Sequence, residues 1–123
     1  YSQLGEPEDK PLVWLRSAIK TPQLSKEARL EASYLLRQLQ QGTSLSMPES
    51  RPMPGIGSGC HELRINDRTA TWRVVYRIDD DAIAIVDVFS KKARQTPKSV
   101  LGLCRQRLKE YDDAAKQAKA PRK

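Results

Sequence analysis

Arg64 and Arg73, with Lys91 and Lys92 further along, are the side chains of this sequence whose types and spacing suit chemistry on an anion. A guanidinium offers a planar fork of donors that matches two oxygens of a phosphate, and it stays charged at any ordinary pH. An ammonium adds a point charge. Such groups can hold a phosphodiester and offset negative charge that builds on phosphorus, which is positioning and electrostatic work.

The elements that must position them are three segments rich in β-branched and aromatic residues: Cys60 to Ile65, Thr71 to Ile78 and Ala82 to Phe89. Polar clusters at Asn66 to Ala70 and Asp79 to Asp81 separate them, so they read as an antiparallel meander, with Ser90-Lys91-Lys92 at its end. With a first loop over Asp67 to Ala70, the period of two places Arg64 directly opposite Arg73 on one sheet face. Leu63 against Val74 and Ile65 against Trp72 then fall on the other face, as a core face should. Like charges set opposite each other cost stability in an ordinary sheet. A polyanion lying between them removes that conflict, and phosphate is the obvious candidate.

Before the meander, Pro11 to Leu15 is a short apolar run suited to an extra strand. Ala28, Ala32, Leu35, Leu36 and Leu39 follow helical spacing, with Ser25 as N-cap and Gly42 as the stop, and this helix is expected on the Leu63 and Val74 face. Thr43 to Gly59 reads as a connecting loop. Its Pro54 to Gly59 stretch is no phosphate-cradling loop, because the glycines lead into a strand and no Gly-Lys-Ser or Gly-Lys-Thr follows. Thr96-Pro97 begins a last helix expected to reach about Ala118. Val100, Cys104, Leu108, Tyr111 and Ala115 form its apolar stripe, and Lys98, Arg105, Lys109 and Lys116 its basic side. Lys98 sits in the first turn, where positive charge opposes the helix dipole and a bound anion would relieve it.

With 123 residues, 38% of them hydrophobic, the chain has one core and reads as one domain over residues 10–112, flanked by flexible tails at 1–9 and 119–123. The formal charge of +7 is uneven: residues 1–90 carry 11 basic and 12 acidic side chains, residues 91–123 carry 11 and 3. That asymmetry favours an acidic partner such as nucleic acid. No apolar run nears the roughly 20 residues of a membrane span and no signal-peptide pattern precedes the first strand, so no membrane association and a cytoplasmic location are expected. Cys60 and Cys104 lack the spacing of a zinc site or a disulfide framework and read as buried thiols.

The words Cys60-His61-Glu62-Leu63-Arg64, Trp72-Arg73-Val74-Val75-Tyr76-Arg77 and Val88-Phe89-Ser90-Lys91-Lys92, then Thr96-Pro97, resemble the "hELR…yRvvY…FxKK…tP" pattern of the HigB-like, phage-related branch of the RelE/ParE toxin superfamily. The resemblance spans roughly residues 11–111. It implies a RelE-like α+β fold, a small antiparallel meander sheet with an N-terminal strand, packed by an N-terminal helical region and a C-terminal helix. It also implies a toxin of a type II toxin-antitoxin pair that enters the ribosomal A site and cuts messenger RNA without metal or other cofactor, through attack of a ribose 2′-hydroxyl on the adjacent phosphate. Its partner would be a cognate antitoxin with a helix-turn-helix domain.

Arg73, Arg64 and Lys92 stand where relatives carry catalytic basic groups, with Arg73 as the phosphate clamp; its alternative is a salt bridge to Asp87. Lys91, Lys98, Arg77, His61 and Glu62 are the further substrate-contact candidates. Arg77 also reads as a solvated charge. His61, the only histidine, has the pKa range for proton transfer, yet the register puts it on the core face. Glu62 shares the face of Arg64 and reads as its partner or as a base. Lys98-Ser99 occupies the place where some relatives carry a tyrosine or histidine. Two alternatives stay open on the same scaffold: a ParE-like protein that inhibits DNA gyrase by binding it, and an inactive relative that binds nucleic acid.

Overall fold

The computed structural model describes residues 9–15, 25–45, 50–67, 71–91 and 98–119, with backbone alone at 91, 118 and 119. In chain order the elements are β1 (Leu12–Trp14), α1 (Lys26–Gln40), β2 (Ser50–Pro52), β3 (Cys60–Asn66), β4 (Thr71–Ile78), β5 (Ile83–Lys91) and α2 (Lys98–Lys119). Together they make an α+β fold with a mixed sheet of order β1-β5-β4-β3-β2, compatible with the RelE-like arrangement. The expected meander is β3-β4-β5, paired antiparallel. The N-terminal strand joins it, and it does so in parallel against β5.

Sequence periodicity accounts for most of this. Ala82 to Val86 is a continuous apolar run with every residue buried, the pattern of a strand covered on both faces. α1 covers one face: Ala28, Leu35, Leu36 and Leu39 pack with Leu63, Ile65, Val74, Tyr76, Ile83 and Ile85. α2 covers the other, where Cys104 and Leu108 pack with Cys60, Val75, Ala84 and Val86. The Ser25 hydroxyl caps α1 by accepting from the Ala28 N–H at 3.1 Å, and the Ser25 N–H donates to Asp67 Oδ2 at 2.9 Å, tying the helix start to the end of β3. Such a cap is worth about 1 kcal/mol.

β2 corrects the expectation of an unbroken loop from Thr43 to Gly59. Its cause is tertiary: the Tyr76 phenol is buried on β4 and meets the buried Ser50 hydroxyl at 2.6 Å, which satisfies both groups. The chain then turns at Met53 to Ile56, passes Gly59 at a φ of +76° and enters β3. Ile56 is buried in the α2-side core, and the Gly55 carbonyl accepts from Arg105 Nη1 at 2.6 Å, so the glycine-rich stretch packs against α2.

A bulge sits where β4 meets β5, since Val75 is opposite Asp87 while Tyr76 is opposite Ile85. Val86 is the extra residue, so Val86 and Asp87 both serve the α2 side. The Thr96-Pro97 helix start expected from the sequence lies outside the described residues, as do the tails expected at 1–9 and 119–123 except Asp9 and Lys119, the latter closing α2. No helix among the described residues is long and apolar enough to cross a membrane.

Candidate functional site

Arg64 is the register partner of Arg73, Leu63 that of Val74 and Ile65 that of Trp72, the pairing that alternation predicts. Two rows of opposed residues cross the α2 face of the sheet. One runs Arg51, Glu62, Val75, Asp87 from β2 to β5, and the next runs Arg64, Arg73, Phe89. Two residues of strand rise, about 7 Å, separate them. Every charged group of the site therefore stands on one face, under or beside α2.

Glu62 lies at the centre of this arrangement, with none of its side chain exposed. Its Oε1 accepts from Arg73 Nη1 at 3.3 Å and lies 3.2 Å from Arg51 Nη2. Arg73 is itself buried, with 6% of its side chain exposed, whereas Arg51 exposes 32% and Arg64 is half-buried. Burial lowers the pKa of the Arg73 guanidinium, the Glu62 carboxylate counters that, and the nearby positive charges of Arg64 and Arg51 lower it further. Two guanidiniums thus share one carboxylate oxygen, and Arg64 adds a third positive charge beside them. Among the described residues, the buried Nε atoms of Arg51, Arg64, Arg73 and Arg107 have no hydrogen-bond partner. An unsatisfied buried donor is costly, and three of these belong to neighbouring arginines on β2, β3 and β4.

Two expectations change accordingly. Arg73 is not an open clamp but the floor of the cluster, and its ion-pair partner is Glu62 rather than Asp87. Asp87 is held by Arg107 of α2 at 3.1 Å, and Arg107 also donates to the Val86 carbonyl at 2.7 Å. Glu62 bonds Arg73 and Arg51, neither of which the strand period alone pairs with it.

Arg77 is no solvated charge. Its guanidinium donates to both oxygens of Asp79, at 2.7 and 3.1 Å, and to both oxygens of Asp112, at 3.0 and 2.7 Å, and lies 5.9 Å from the Tyr111 ring centre. Hydrogen bonding to Asp112 raises its pKa first, against burial, and the same bonds hold the Asp112 carboxyl below the usual range. Arg77 is thus a staple between β4 and α2. Beside it lies a groove of about 590 Å³ lined by Asp79, Asp80, Asp81 and Asp112, a wall that repels phosphate.

His61 is on the opposite face, stacked on Tyr76 at 5.4 Å, with Nδ1 3.2 Å from the Gly59 carbonyl. Lys98 is exposed at the first residue of α2, Lys91 closes β5, and Lys92 lies outside the described residues. Cys60 and Cys104 are free and buried; burial, then the Asp87 charge, pushes the Cys104 thiol up to about 12.

Arg51 and Arg107 are the site residues that the motifs do not reveal. Arg107 had a signal: it lies three residues after Cys104 and four before Tyr111, inside the apolar stripe, where a charge needs a buried partner. Arg51 had none, since its three-residue segment becomes a strand only by pairing with β3, beside the Ser50–Tyr76 contact.

A two-helix α+β domain with an arginine cluster sunk into one sheet face is the class of protein this geometry defines. The family model of the phage-derived protein Gp49-like family (DUF891) matches residues 22–109, from before α1 well into α2, and the chain belongs to that family. The family is associated with toxins of the RelE superfamily. Among curated proteins, none matches this chain.

Proposed function

We propose that this protein is the toxin of a type II toxin-antitoxin pair, of the HigB-like kind, and that it cleaves messenger RNA on the ribosome. One observation carries the proposal: Arg64 and Arg73 are register partners on a single face, with buried Nε donors that no described residue satisfies. A phosphodiester supplies the missing acceptors and cancels the repulsion between the pair.

In the proposed reaction the ribose 2′-oxygen bonds to the adjacent phosphorus and the bond from phosphorus to the 5′-oxygen breaks. The products are a 2′,3′-cyclic phosphate and a 5′-hydroxyl; the proton lost from the 2′-oxygen is balanced by the one gained by the leaving oxygen. The cluster's part is to orient the strand and to stabilise charge on the phosphoryl oxygens. Lys92 is proposed to complete the catalytic set, and Lys91 and Lys98 to steer the RNA. No proton-transfer role is proposed for His61, which stacks on Tyr76 on the other face, or for Glu62, which is buried against Arg73 and Arg51. An acidic segment of a helix-turn-helix antitoxin, laid across the same basic face, would silence the site by neutralising it.

The test is expression of wild type and Arg64→Ala in cells, with mapping of RNA 5′ ends on translated and untranslated transcripts. Cuts confined to translated messages, and lost in the variant, are expected. Intact messages together with gyrase-dependent DNA breaks would replace this reading with the gyrase-binding one.

A further inference from the structure

We propose that Arg51 is a third phosphate-binding residue, so that Arg51 and Arg64 form the two outer prongs of an anion cradle whose floor is Arg73. The inference rests on the RNA-cleaving reading and deepens it. It starts from β2: the register sets Arg51 opposite Glu62, and hence on the diagonal from Arg64 across β2 and β3, a separation of about 7–8 Å that long side chains bridge. Arg51 and Arg73 also share one oxygen of Glu62, so their guanidiniums stand side by side.

Exposure divides the labour. Arg73 is nearly sealed, and an incoming anion reaches it only past its neighbours. Arg51, about a third exposed, and half-buried Arg64 are those neighbours. Each of the three has a buried Nε with no acceptor among the described residues, because Glu62 meets Arg51 and Arg73 through their Nη atoms and leaves the Nε edges bare. Arg107 also has a buried Nε with no acceptor among the described residues, but its Nη1 is taken by Asp87 and the Val86 carbonyl in docking α2, away from the Arg51–Arg64–Arg73 group. Glu62 acts as a positioning residue: it spaces Arg51 and Arg73 and touches no substrate.

The experiment is binding of a short, single-stranded 2′-O-methyl oligoribonucleotide, which cannot be cut, by fluorescence anisotropy over a series of potassium chloride concentrations. Wild type, Arg51→Ala, Arg51→Lys and Arg64→Ala are compared, with thermal unfolding to confirm folding; Arg51→Gln replaces R51A should that variant unfold. Loss of one phosphate contact lowers the slope of log affinity against log salt by about 0.7 for a single strand. R51A is expected to show that drop, with affinity down about tenfold, the equivalent of one charge-assisted contact. R51K should recover the slope but only part of the affinity, because charge returns without the fork. If R51A keeps wild-type slope and affinity while R64A loses both, Arg51 is structural and this inference fails, with the reading of the face intact. If wild type fails to bind, or all variants share its slope, the RNA-binding reading fails and takes the inference with it.

Discussion

Arg64 and Arg73 are paired directly across β3 and β4, two guanidiniums on the same face with a single carboxylate, Glu62, at the next register position. A folded protein gains nothing from that pairing, since like charges set opposite each other destabilise a sheet. Arg64→Ala is therefore expected to leave stability unchanged or to raise it by up to about 1 kcal/mol, while abolishing messenger RNA cleavage. Thermal unfolding and 5′-end mapping on the same variant check both halves. A variant that loses stability and activity together would mark Arg64 as a structural residue.

Removing Glu62 should do the opposite. Glu62→Ala strands the buried charge of Arg73, and breaking a buried pair in this way costs about 3–5 kcal/mol. Combining it with Arg73→Met, which removes the stranded charge and refills the volume, should recover most of the loss. Urea unfolding of the single and double variants measures both values, and a double variant as unstable as E62A would show that charge is not the cause.

The Arg77–Asp112 staple predicts an acid limb. The folded state holds the Asp112 carboxyl below its ordinary value, so its contribution is complete above the unfolded pKa near 3.9 and fades as pH falls through the lower folded value. About half of the Asp112 side chain is exposed, so screening limits the effect to about 1 kcal/mol or less. Asp112→Asn should flatten this part of the stability curve below pH 4 and loosen α2. Unchanged acid titration in the variant would assign the limb to other carboxyls.

Ser50 links the fold to the site. Ser50→Ala leaves the buried Tyr76 hydroxyl without its partner and should cost about 1–3 kcal/mol. Because β2 carries Arg51, amide exchange should quicken at Arg51 first, and RNA affinity should fall as it does in R51A. Fast exchange at β2 with wild-type RNA binding would separate the strand from the site.

Much of the scaffold is legible in local spacing. α1 keeps its helical period from the Ser25 cap to Leu39, and the strand period through Leu63 and Ile65 on one segment and Trp72 and Val74 on the other puts Arg64 and Arg73 on one face and opposite each other. A shift of one residue would have buried both charges among the side chains of α1, so the register was over-determined. The partners of the charges were not legible in the same way. Whether Asp87 shares the Arg73 face depends on the Val86 bulge, and a bulge breaks the period that alternation relies on.

The sequence by itself determined the two helices, the meander, the opposed arginines and the excess of positive charge, because each follows from periods of 2 and 3.6 or from composition. Only the tertiary structure decided that Arg73 would be sunk beneath its neighbours on Glu62, that Arg107 would take Asp87, and that Arg51 would join the cluster on a short strand paired with β3 and tied to β4 by a buried hydroxyl pair. Those choices depend on contacts between residues far apart in the chain. Burial and ion pairing are settled where helix and sheet meet, after each element has already taken its local form.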